Sequence, residues 1–307
     1  MMDRVDFFIR RIKLYRANPV LFFNEVLNYY PDPWQASVAM DVAANPRVTV
    51  RSGQGVGKTA LEAALLLWFL CCFPFPRIVA TAPTRQQLND VLWSEVAKWL
   101  SKSQLLGEML KWTKTYIYML GMEKRWFAVA RTATKPENMQ GFHEDNMLFI
   151  VDEASGVADP ILEAILGTLS GPNNKILMCG NPTKTSGIFH DSHTADRAMY
   201  CVHKVNAMDV QRTNKDTIDA NIRKYGADSN FVRVRVYGEF PEQEDDVFIP
   251  ISIVEQAVMT EWEEPEEVVR IDIGCDVARF GDKLYYCLPM WRHMVNNTVN
   301  PQMRGVA

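Results

Sequence analysis

The chain has 307 residues, 48% of them hydrophobic and 23% charged, and a formal net charge of −4. This composition predicts a globular protein with a sizeable core and room for two domains, and it gives no support for indiscriminate nucleic-acid binding, although a local basic patch would suffice for it. The six cysteines form no C-x-x-C pair and no ligand-like spacing with the five histidines, so free thiols in a reducing compartment are expected rather than disulfides or a zinc site.

The N-terminal region, residues 1 to 30, is predicted to be helical because Phe8, Ile12 and Tyr15 recur at helical spacing. The basic residues between them favour a solvated helix face over a surface that binds DNA or a partner. A charged N-terminus without an apolar core predicts no secretory signal. Pro31 and the residues after it end this helical region, and a second helix can begin beside Gln35, whose amide suits both the donor and the acceptor on the edge of adenine.

A glycine-rich loop follows the first predicted strand, Arg47 to Arg51, and precedes a predicted helix, Ala60 to Phe73. Residues 52–59 read Ser-Gly-Gln-Gly-Val-Gly-Lys-Thr and match the phosphate-loop pattern G-x-x-x-x-G-K-[ST], with Ser52 in place of the first glycine. The alternative is a glycine-rich turn with an incidental Gly-Lys-Thr, which the strand–loop–helix context disfavours. The apolar run within the helix is shorter than the roughly 20 residues needed to span a bilayer.

The residue types in this loop suit a bound nucleotide. Glycines let consecutive backbone N–H groups point at one anion, and the start of the helix adds its positive dipole there. Lys58 is expected to reach the β- and γ-phosphates of ATP, and the Thr59 hydroxyl to bind Mg²⁺. The glycines assigned to the nucleotide site are Gly53, Gly55 and Gly57.

The next predicted elements alternate between strands and helices. Arg77 to Ala82 and Arg125 to Thr132 are expected to be core strands, and Gln86 to Leu100 a helix with one apolar face. A further apolar run, Leu148 to Val151, is typical of a buried central strand and ends in two carboxylates.

Those carboxylates are Asp152 and Glu153. We expect Asp152 to hold Mg²⁺ through its water shell, and Glu153 to orient or deprotonate the attacking water. An acidic pair can also simply cap a strand, but its occurrence together with the phosphate loop indicates an ATPase. The strand predicted at Lys175 to Cys179 is followed by Asn181, which either faces the γ-phosphate and senses hydrolysis or belongs to a plain Asn-Pro turn.

The character of the chain changes after residue 186. Residues 209–236 are polar, basic and predicted to be helical, and the acidic runs 242–246 and 261–267 are typical of a solvated linker. Residues 268–275 then predict another strand, which Asp276 follows. The tail, residues 290–307, contains no Asp or Glu.

Taken together, these motifs resemble the large subunit of a tailed-phage terminase, the ATPase that packages viral DNA. The resemblance runs from about Pro31 to Asp282. Its pieces are Pro-Trp-Gln at 33–35, Gly-Gln-Gly-Val-Gly-Lys-Thr at 53–59, Thr-Ala-Pro-Thr at 81–84, Gln-Gly-Phe-His at 140–143, Val-Asp-Glu-Ala-Ser at 151–155, Gly-Asn-Pro at 180–182 and Tyr-Gly-Glu-Phe at 237–240.

The resemblance implies an α/β fold: a RecA-like P-loop ATPase domain with a central, mostly parallel sheet, followed by an RNase H-like nuclease domain. It divides the chain into a helical and adenine-recognition segment (1–45), an ATPase core (46–186), a helical lid and linker (187–245) and the start of the nuclease (246–307). It also implies ATP and Mg²⁺ as cofactors, and a homo-oligomeric ring on the procapsid portal in the host cytoplasm, with no membrane. Double-stranded DNA, the portal protein and the small terminase subunit are the implied partners.

The resemblance also implies roles for single residues: adenine recognition by Gln35, phosphate and metal binding by Lys58 and Thr59, metal binding by Asp152, catalysis by Glu153, coupling of hydrolysis to movement by Asn181, and the first nuclease metal site at Asp276. Some relatives carry an arginine inside the phosphate loop, where this chain has Gln54. Arg51, Arg85 and Arg131 are candidates for that role within one subunit or between neighbouring subunits, and the sequence favours none of them.

Beyond Asp282 the sequence departs from the family pattern and resembles translation past a frameshift, with a divergent natural terminus as the alternative. We therefore expect a truncated and non-functional nuclease half. Two rival functions remain. A two-lobed helicase would need a second lobe with a Gly-Arg-x-x-Arg finger, and no such string follows residue 187. An inactive fragment would only dock on the portal or the small subunit.

Overall fold

The computed structural model describes residues 4–132, 135–139 and 144–242, together with the strand residues 274–276, 284–287 and 305–306. The chain divides into two compact units, residues 1–247 and 248–307. The predicted Gln-Gly-Phe-His motif at 140–143 lies outside the described residues, as do residues 243–246 of the first acidic run and the whole of the second run, 261–267. The predicted boundaries at residues 45, 186 and 245 stay predictions.

An eight-stranded sheet forms the centre of the first unit. Its strands are β1 (Arg47–Ser52), β2 (Arg77–Thr81), β3 (Leu110–Trp112), β4 (Tyr116–Met119), β5 (Phe127–Ala130), β6 (Asn146–Val151), β7 (Asn173–Gly180) and β8 (Cys201–Val205). They lie in the order β3-β4-β5-β2-β6-β7-β1-β8, and all neighbours from β5 to β8 are parallel. The predicted α/β class with a mostly parallel sheet is confirmed.

This strand order positions the candidate site. Strand β7 lies between β6 and β1, with Arg51 opposite Gly180 and Val151 opposite Met178 in the ladders. Because all three strands are parallel, their carboxyl ends meet at one edge of the sheet. The phosphate loop after β1, the carboxylates after β6 and the Asn-Pro turn after β7 are therefore neighbours in space.

The helices before β6 are α1 (Arg4–Ala17), α2 (Pro19–Val26), α3 (Pro33–Ala44), α4 (Lys58–Cys72), a π-helical segment (Gln87–Trp93) that continues into α5 (Ser94–Lys102), and α6 (Gln104–Met109). The helices after β6 are α7 (Asp159–Thr168), α8 (Ile188–Asp191), α9 (Lys215–Tyr225) and α10 (Asn230–Val232), which runs into a second π-helical segment (Arg233–Tyr237). None of the described helices is long and apolar enough to cross a membrane.

Helix α4 is the main core helix. Every residue from Leu61 to Cys72 is buried, because the helix contacts the sheet on one side and α1, α3 and α5 on the others. A helix that is apolar all round requires such an environment. The helix predicted after the phosphate loop is therefore confirmed, with its start at Lys58 rather than Ala60.

Strand β8 and helix α7 were not assigned from the sequence, and two further regions also differ from the prediction. The N-terminal helical region is two helices, because Asn18 caps the second one through a hydrogen bond from the Leu21 amide and Pro19 occupies its first position. Residues 110–119 form the antiparallel pair β3–β4, which the sequence analysis did not assign. Its strands have only three and four residues, too few to show a clear alternation.

In the second unit the described residues are three short strands, β9 (Gly274–Asp276), β10 (Leu284–Cys287) and β11 (Gly305–Val306). They form an antiparallel sheet with β10 in the middle. Asp276 is the last residue of β9 and lies opposite Tyr285. The RNase H-like assignment of this unit stays a prediction.

Candidate nucleotide-binding site

The phosphate loop connects β1 directly to α4. Gly55 and Gly57 have φ values of +75° and +96°, in the left-handed region that glycine adopts without steric cost. A Cβ on Gly57 would also lie 2.9 Å from Nη1 of Arg212 and 3.0 Å from Nε2 of Gln35. The third glycine of the loop is thus required by backbone conformation and by close packing.

The loop borders a cavity of 460 Å³ at the N-terminus of α4. The residues that line it are Gln54, Gly55, Val56, Gly57, Lys58, Thr59, Gln87, Glu153, Asn181, Thr183 and Arg235. Backbone amides at a helix N-terminus together with a lysine form a site for a polyphosphate. A larger cavity of 510 Å³ lies beside Phe8 and Tyr15, and its lining residues include no glycine.

Lys58 is held at the floor of the cavity. Its side chain is only 8% exposed, and Nζ donates to Oγ of Ser52 at 3.2 Å and lies 3.9 Å from Oε1 of Glu153. The Ser52 hydroxyl in turn donates to the carbonyl of Gly53. The residue that replaces the first glycine of the phosphate-loop pattern therefore supports the lysine.

The two predicted carboxylates differ in their surroundings. Asp152 is buried, and its Oδ1 accepts a hydrogen bond from the amide of Glu153 at 2.9 Å. Burial, and then the negative charge of Glu153, raise the pKa of Asp152 to about 6, although Lys58 opposes the shift. Glu153 lines the cavity and adopts the left-handed conformation at φ +49°, which is costly for a residue with a Cβ and is often found at functional sites.

A third carboxyl group, Glu62, lies behind this pair and was missed by the sequence analysis. Its side chain is fully buried on α4, one turn after Lys58, and no nitrogen or oxygen atom of the described residues hydrogen-bonds its carboxyl oxygens. Burial, and then the charge of Asp152, raise the pKa of Glu62 well above its usual value. One acidic residue within the apolar run of α4 was the signal that could have revealed it.

Asn181 connects the ends of three strands. Its Nδ2 donates to the carbonyl of Ser52 at 2.6 Å, and its backbone amide lies 3.5 Å from Oε2 of Glu153. The side chain is buried at the wall of the cavity. It is therefore placed within the site and contacts both the phosphate loop and the proposed catalytic carboxylate.

Gln35 has a different environment from the one expected for an adenine-reading residue. Its side chain is fully buried, with Oε1 accepting from the hydroxyl of Tyr29 at 2.7 Å and from the amide of Asp32 at 2.8 Å. Its Nε2 donates to the carbonyl of Gly57 at 2.9 Å. In this structure Gln35 joins the start of α3 to the phosphate loop. An adenine contact would require some of these hydrogen bonds to exchange, and it stays a prediction.

The second π-helical segment packs directly on the phosphate loop. The amide of Gln54 donates to the carbonyl of Arg235 at 2.7 Å. The amide of Gly53 donates to the carbonyl of Val205, at the end of β8, at 3.0 Å. Arg51 donates to the carbonyl of Gly238 at 3.1 Å. The sequence analysis missed this packing, because nothing local links residues so far apart in the chain.

None of the three arginines considered from the sequence is among the residues that line the cavity. The guanidinium of Arg51 lies over the ring of Phe240, 5.2 Å from its centroid, and Arg131 donates to the carbonyl of Asn138. Arg85 is exposed at the start of the helical stretch that follows β2. Arg235 is the arginine that lines the cavity.

Comparison with known proteins shows what this chain resembles. No family model matches it. A probable terminase large subunit from Enterobacteria phage P7 is 30% identical over 223 residues, which is 68% of this chain and 45% of that protein. The chain thus spans about half the length of the curated relative that it matches.

Solved structures show the fold. The large terminase of bacteriophage HK97 matches 89% of this chain and 64% of its own chain with a TM-score of 0.58 and 16% identity. The ATPase domain of the Thermus phage P74-26 large terminase matches 73% of this chain and 99% of its own chain, with a TM-score of 0.56 and 18% identity. The large terminase of the thermophilic phage D6E, in complex with ADP, matches 83% of this chain and 64% of its own chain, with a TM-score of 0.55 and 14% identity. These matches show that the chain shares its α/β fold with solved structures of phage large terminases.

Proposed function

We propose that this chain, a relative of the large subunits of phage terminases, hydrolyses ATP and uses the energy to move double-stranded viral DNA into a procapsid. The observation that carries the proposal is the cavity at the N-terminus of α4, where Lys58, Glu153 and Asn181 meet the phosphate loop. The relative's name supports the same function.

The nucleotide is held by its phosphates. Backbone N–H groups of residues 55–59 and the dipole of α4 bind the β- and γ-phosphates, and Lys58 adds a full positive charge. Mg²⁺, when bound, neutralises negative charge on those phosphates. The hydroxyl of Thr59 and the carboxylate of Asp152 suit it, because Mg²⁺ prefers oxygen ligands. Gln35 is proposed to reach adenine once its hydrogen bonds exchange.

Hydrolysis is an in-line attack of water on the γ-phosphate. Glu153 is proposed to orient this water and accept its proton, and its position among the residues that line the cavity supports this role. Asn181 contacts both Ser52 and Glu153. Loss of the γ-phosphate would alter these hydrogen bonds, and the resulting shift of Asn181 would be transmitted to strand β7, which it follows directly. This route would couple hydrolysis to movement of the protein. The proposed partners are DNA, the portal protein, the small terminase subunit and further copies of the chain in a ring, within the host cytoplasm.

ATP turnover with and without DNA tests the proposal. We expect the wild-type chain to hydrolyse ATP, and Lys58→Ala to fall to background because the charge on the β- and γ-phosphates is lost. Glu153→Gln should still bind ATP without hydrolysing it, whereas Asp152→Asn should weaken binding that depends on Mg²⁺. A wild-type chain without turnover would favour a fragment that only docks on the portal or the small subunit. Full turnover in a folded Lys58→Ala chain would contradict the site.

We propose that the nuclease half is non-functional in this 307-residue chain. Asp276 is the proposed first metal-binding carboxylate, and a two-metal site needs several such groups that converge on the ions. We expect the chain not to linearise plasmid DNA with Mg²⁺ or Mn²⁺. Metal-dependent cutting that disappears in Asp276→Ala would show that a working nuclease site is present.

A further inference from the structure

The π-helical segment Arg233–Tyr237 is positioned against the phosphate loop by its backbone. The carbonyl of Arg235 accepts the amide hydrogen of Gln54, and the next carbonyl, Val236, is so close that a Cβ on Gly53 would lie 2.4 Å from it. Gly238 has a φ of +63°, and a Cβ there would lie 2.8 Å from the Cα of Ser52. The segment and the loop must therefore move together.

This contact places the side chain of Arg235 at the nucleotide cavity. Arg235 lines the cavity together with Lys58 and Glu153, and Arg235 and Lys58 are the two basic residues in its lining. The side chain is exposed. Within residues 4–242 as described, its guanidinium has no hydrogen bond or ion pair. It is thus available to an anion in the cavity.

The neighbouring arginines already have partners. Arg233, two residues earlier, lies near the carboxylates of Glu239 and Glu242, at 3.7 and 3.5 Å, and donates to the carbonyl of Phe240. Arg212 is paired with Asp32 at 2.7 Å. Among the described residues, the absence of a partner for its guanidinium therefore distinguishes Arg235 from Arg212 and Arg233.

The chemistry of the site calls for such a group. Transfer of the γ-phosphoryl group spreads negative charge over its oxygens, and an arginine fork can contact two of them at once, whereas a lysine acts as a point charge. Residues 53–59 contain Lys58 as their one cation and have Gln54 between the first two glycines. The backbone amide of that same Gln54 binds the carbonyl of Arg235.

We infer that Arg235 is the catalytic arginine of this chain's own ATPase site, delivered in cis by the segment Arg233–Tyr237. The inference rests on the proposed ATPase function. In this arrangement the phosphate loop itself positions the segment, so a shift of the loop when nucleotide binds also shifts the guanidinium. No neighbouring copy is then needed to supply this charge.

The test compares Arg235→Ala and Arg235→Lys with Arg223→Ala, a matched change at an exposed arginine on α9 that does not line the cavity. Steady-state kcat and KM for Mg-ATP, the Kd of a fluorescent non-hydrolysable ATP analogue and the melting temperature are measured for each. We expect kcat to fall roughly 100-fold or more in Arg235→Ala, with less than about a tenfold change in Kd. Arg235→Lys should lose at least about tenfold, because the charge remains without the fork, and Arg223→Ala should match wild type.

Mixing two inactive variants distinguishes delivery within one chain from delivery between chains. Arg235→Ala retains Glu153, and Glu153→Gln retains Arg235, so an arginine acting between subunits would restore turnover in the mixture. We expect no recovery. Recovered turnover, a kcat of Arg235→Ala within twofold of wild type, or a raised KM at unchanged kcat would each overturn the inference. A wild-type chain without turnover would overturn the proposed ATPase function as well, so the two failures are distinguishable.

Discussion

Gly53→Ala tests the close packing between the phosphate loop and the segment Arg233–Tyr237. A methyl group at this position would lie 2.4 Å from the carbonyl oxygen of Val236, 2.9 Å from Cβ of Ala207 and 3.0 Å from the carbonyl oxygen of Arg235. Two of these three atoms belong to the backbone and cannot turn away as a flexible side chain would. The segment must therefore move off the loop.

The expected cost follows from that movement. Overpacking of a well-packed site costs about 1–3 kcal/mol, and loss of the hydrogen bond from Gln54 to Arg235 adds about 0.5–1.5 kcal/mol. We therefore expect a loss of about 2–4 kcal/mol in the free energy of unfolding. For a unit of this size that lowers the melting temperature by roughly 4–16 °C.

Differential scanning calorimetry of the purified chain measures this effect, with Gly107→Ala as the matched control. Gly107 lies within α6, and a Cβ there would meet no atom within 4 Å. The control is expected to be neutral or stabilising by up to about 1 kcal/mol, because alanine is the better helix former. If Gly53→Ala melts at the wild-type temperature, the close approach of loop and segment is refuted.

Two further predictions concern buried charges. Burial raises the pKa of Glu62, so the wild-type chain should lose stability as the pH rises from about 4.5 through the higher folded-state pKa. Glu62→Gln removes this contribution and leaves that of Asp152, whose pKa is also raised. The melting temperature of the variant should therefore exceed that of wild type by more at pH 8 than at pH 5, and equal differences would contradict this. Lys175 donates to the carbonyls of Ala43 and Asn45 at 3.1 Å each, so Lys175→Met should lower the free energy of unfolding in urea by about 1.5–3 kcal/mol. The matched change Lys98→Met, at an exposed lysine, should cost far less. Equal losses would contradict the stabilising role of the two Lys175 hydrogen bonds.

Local patterns were enough to predict the phosphate loop and the acidic strand end. The loop needs a strand, closely spaced glycines and a helix in direct succession, and residues 47–73 contain all three in order. Asp152 and Glu153 follow an apolar run that only a buried strand explains. Both predictions depend on residues that are close together in the chain. The α/β class was implied by the resemblance to phage terminases, and the parallel strands of the central sheet confirm it.

The contacts between distant segments were decided by the tertiary structure alone. Strand order brings Asn181 to the carbonyl of Ser52, and the position of α3 buries Gln35 against Gly57 instead of leaving its amide open to adenine. Arg235 lies at the cavity only because a backbone hydrogen bond joins it to Gln54, across 181 residues of chain. Side-chain periodicity reports which face of an element is buried, but it carries no information on which other element covers that face. The loop could therefore be read from the sequence, whereas the groups that surround it depend on the packing of the whole unit.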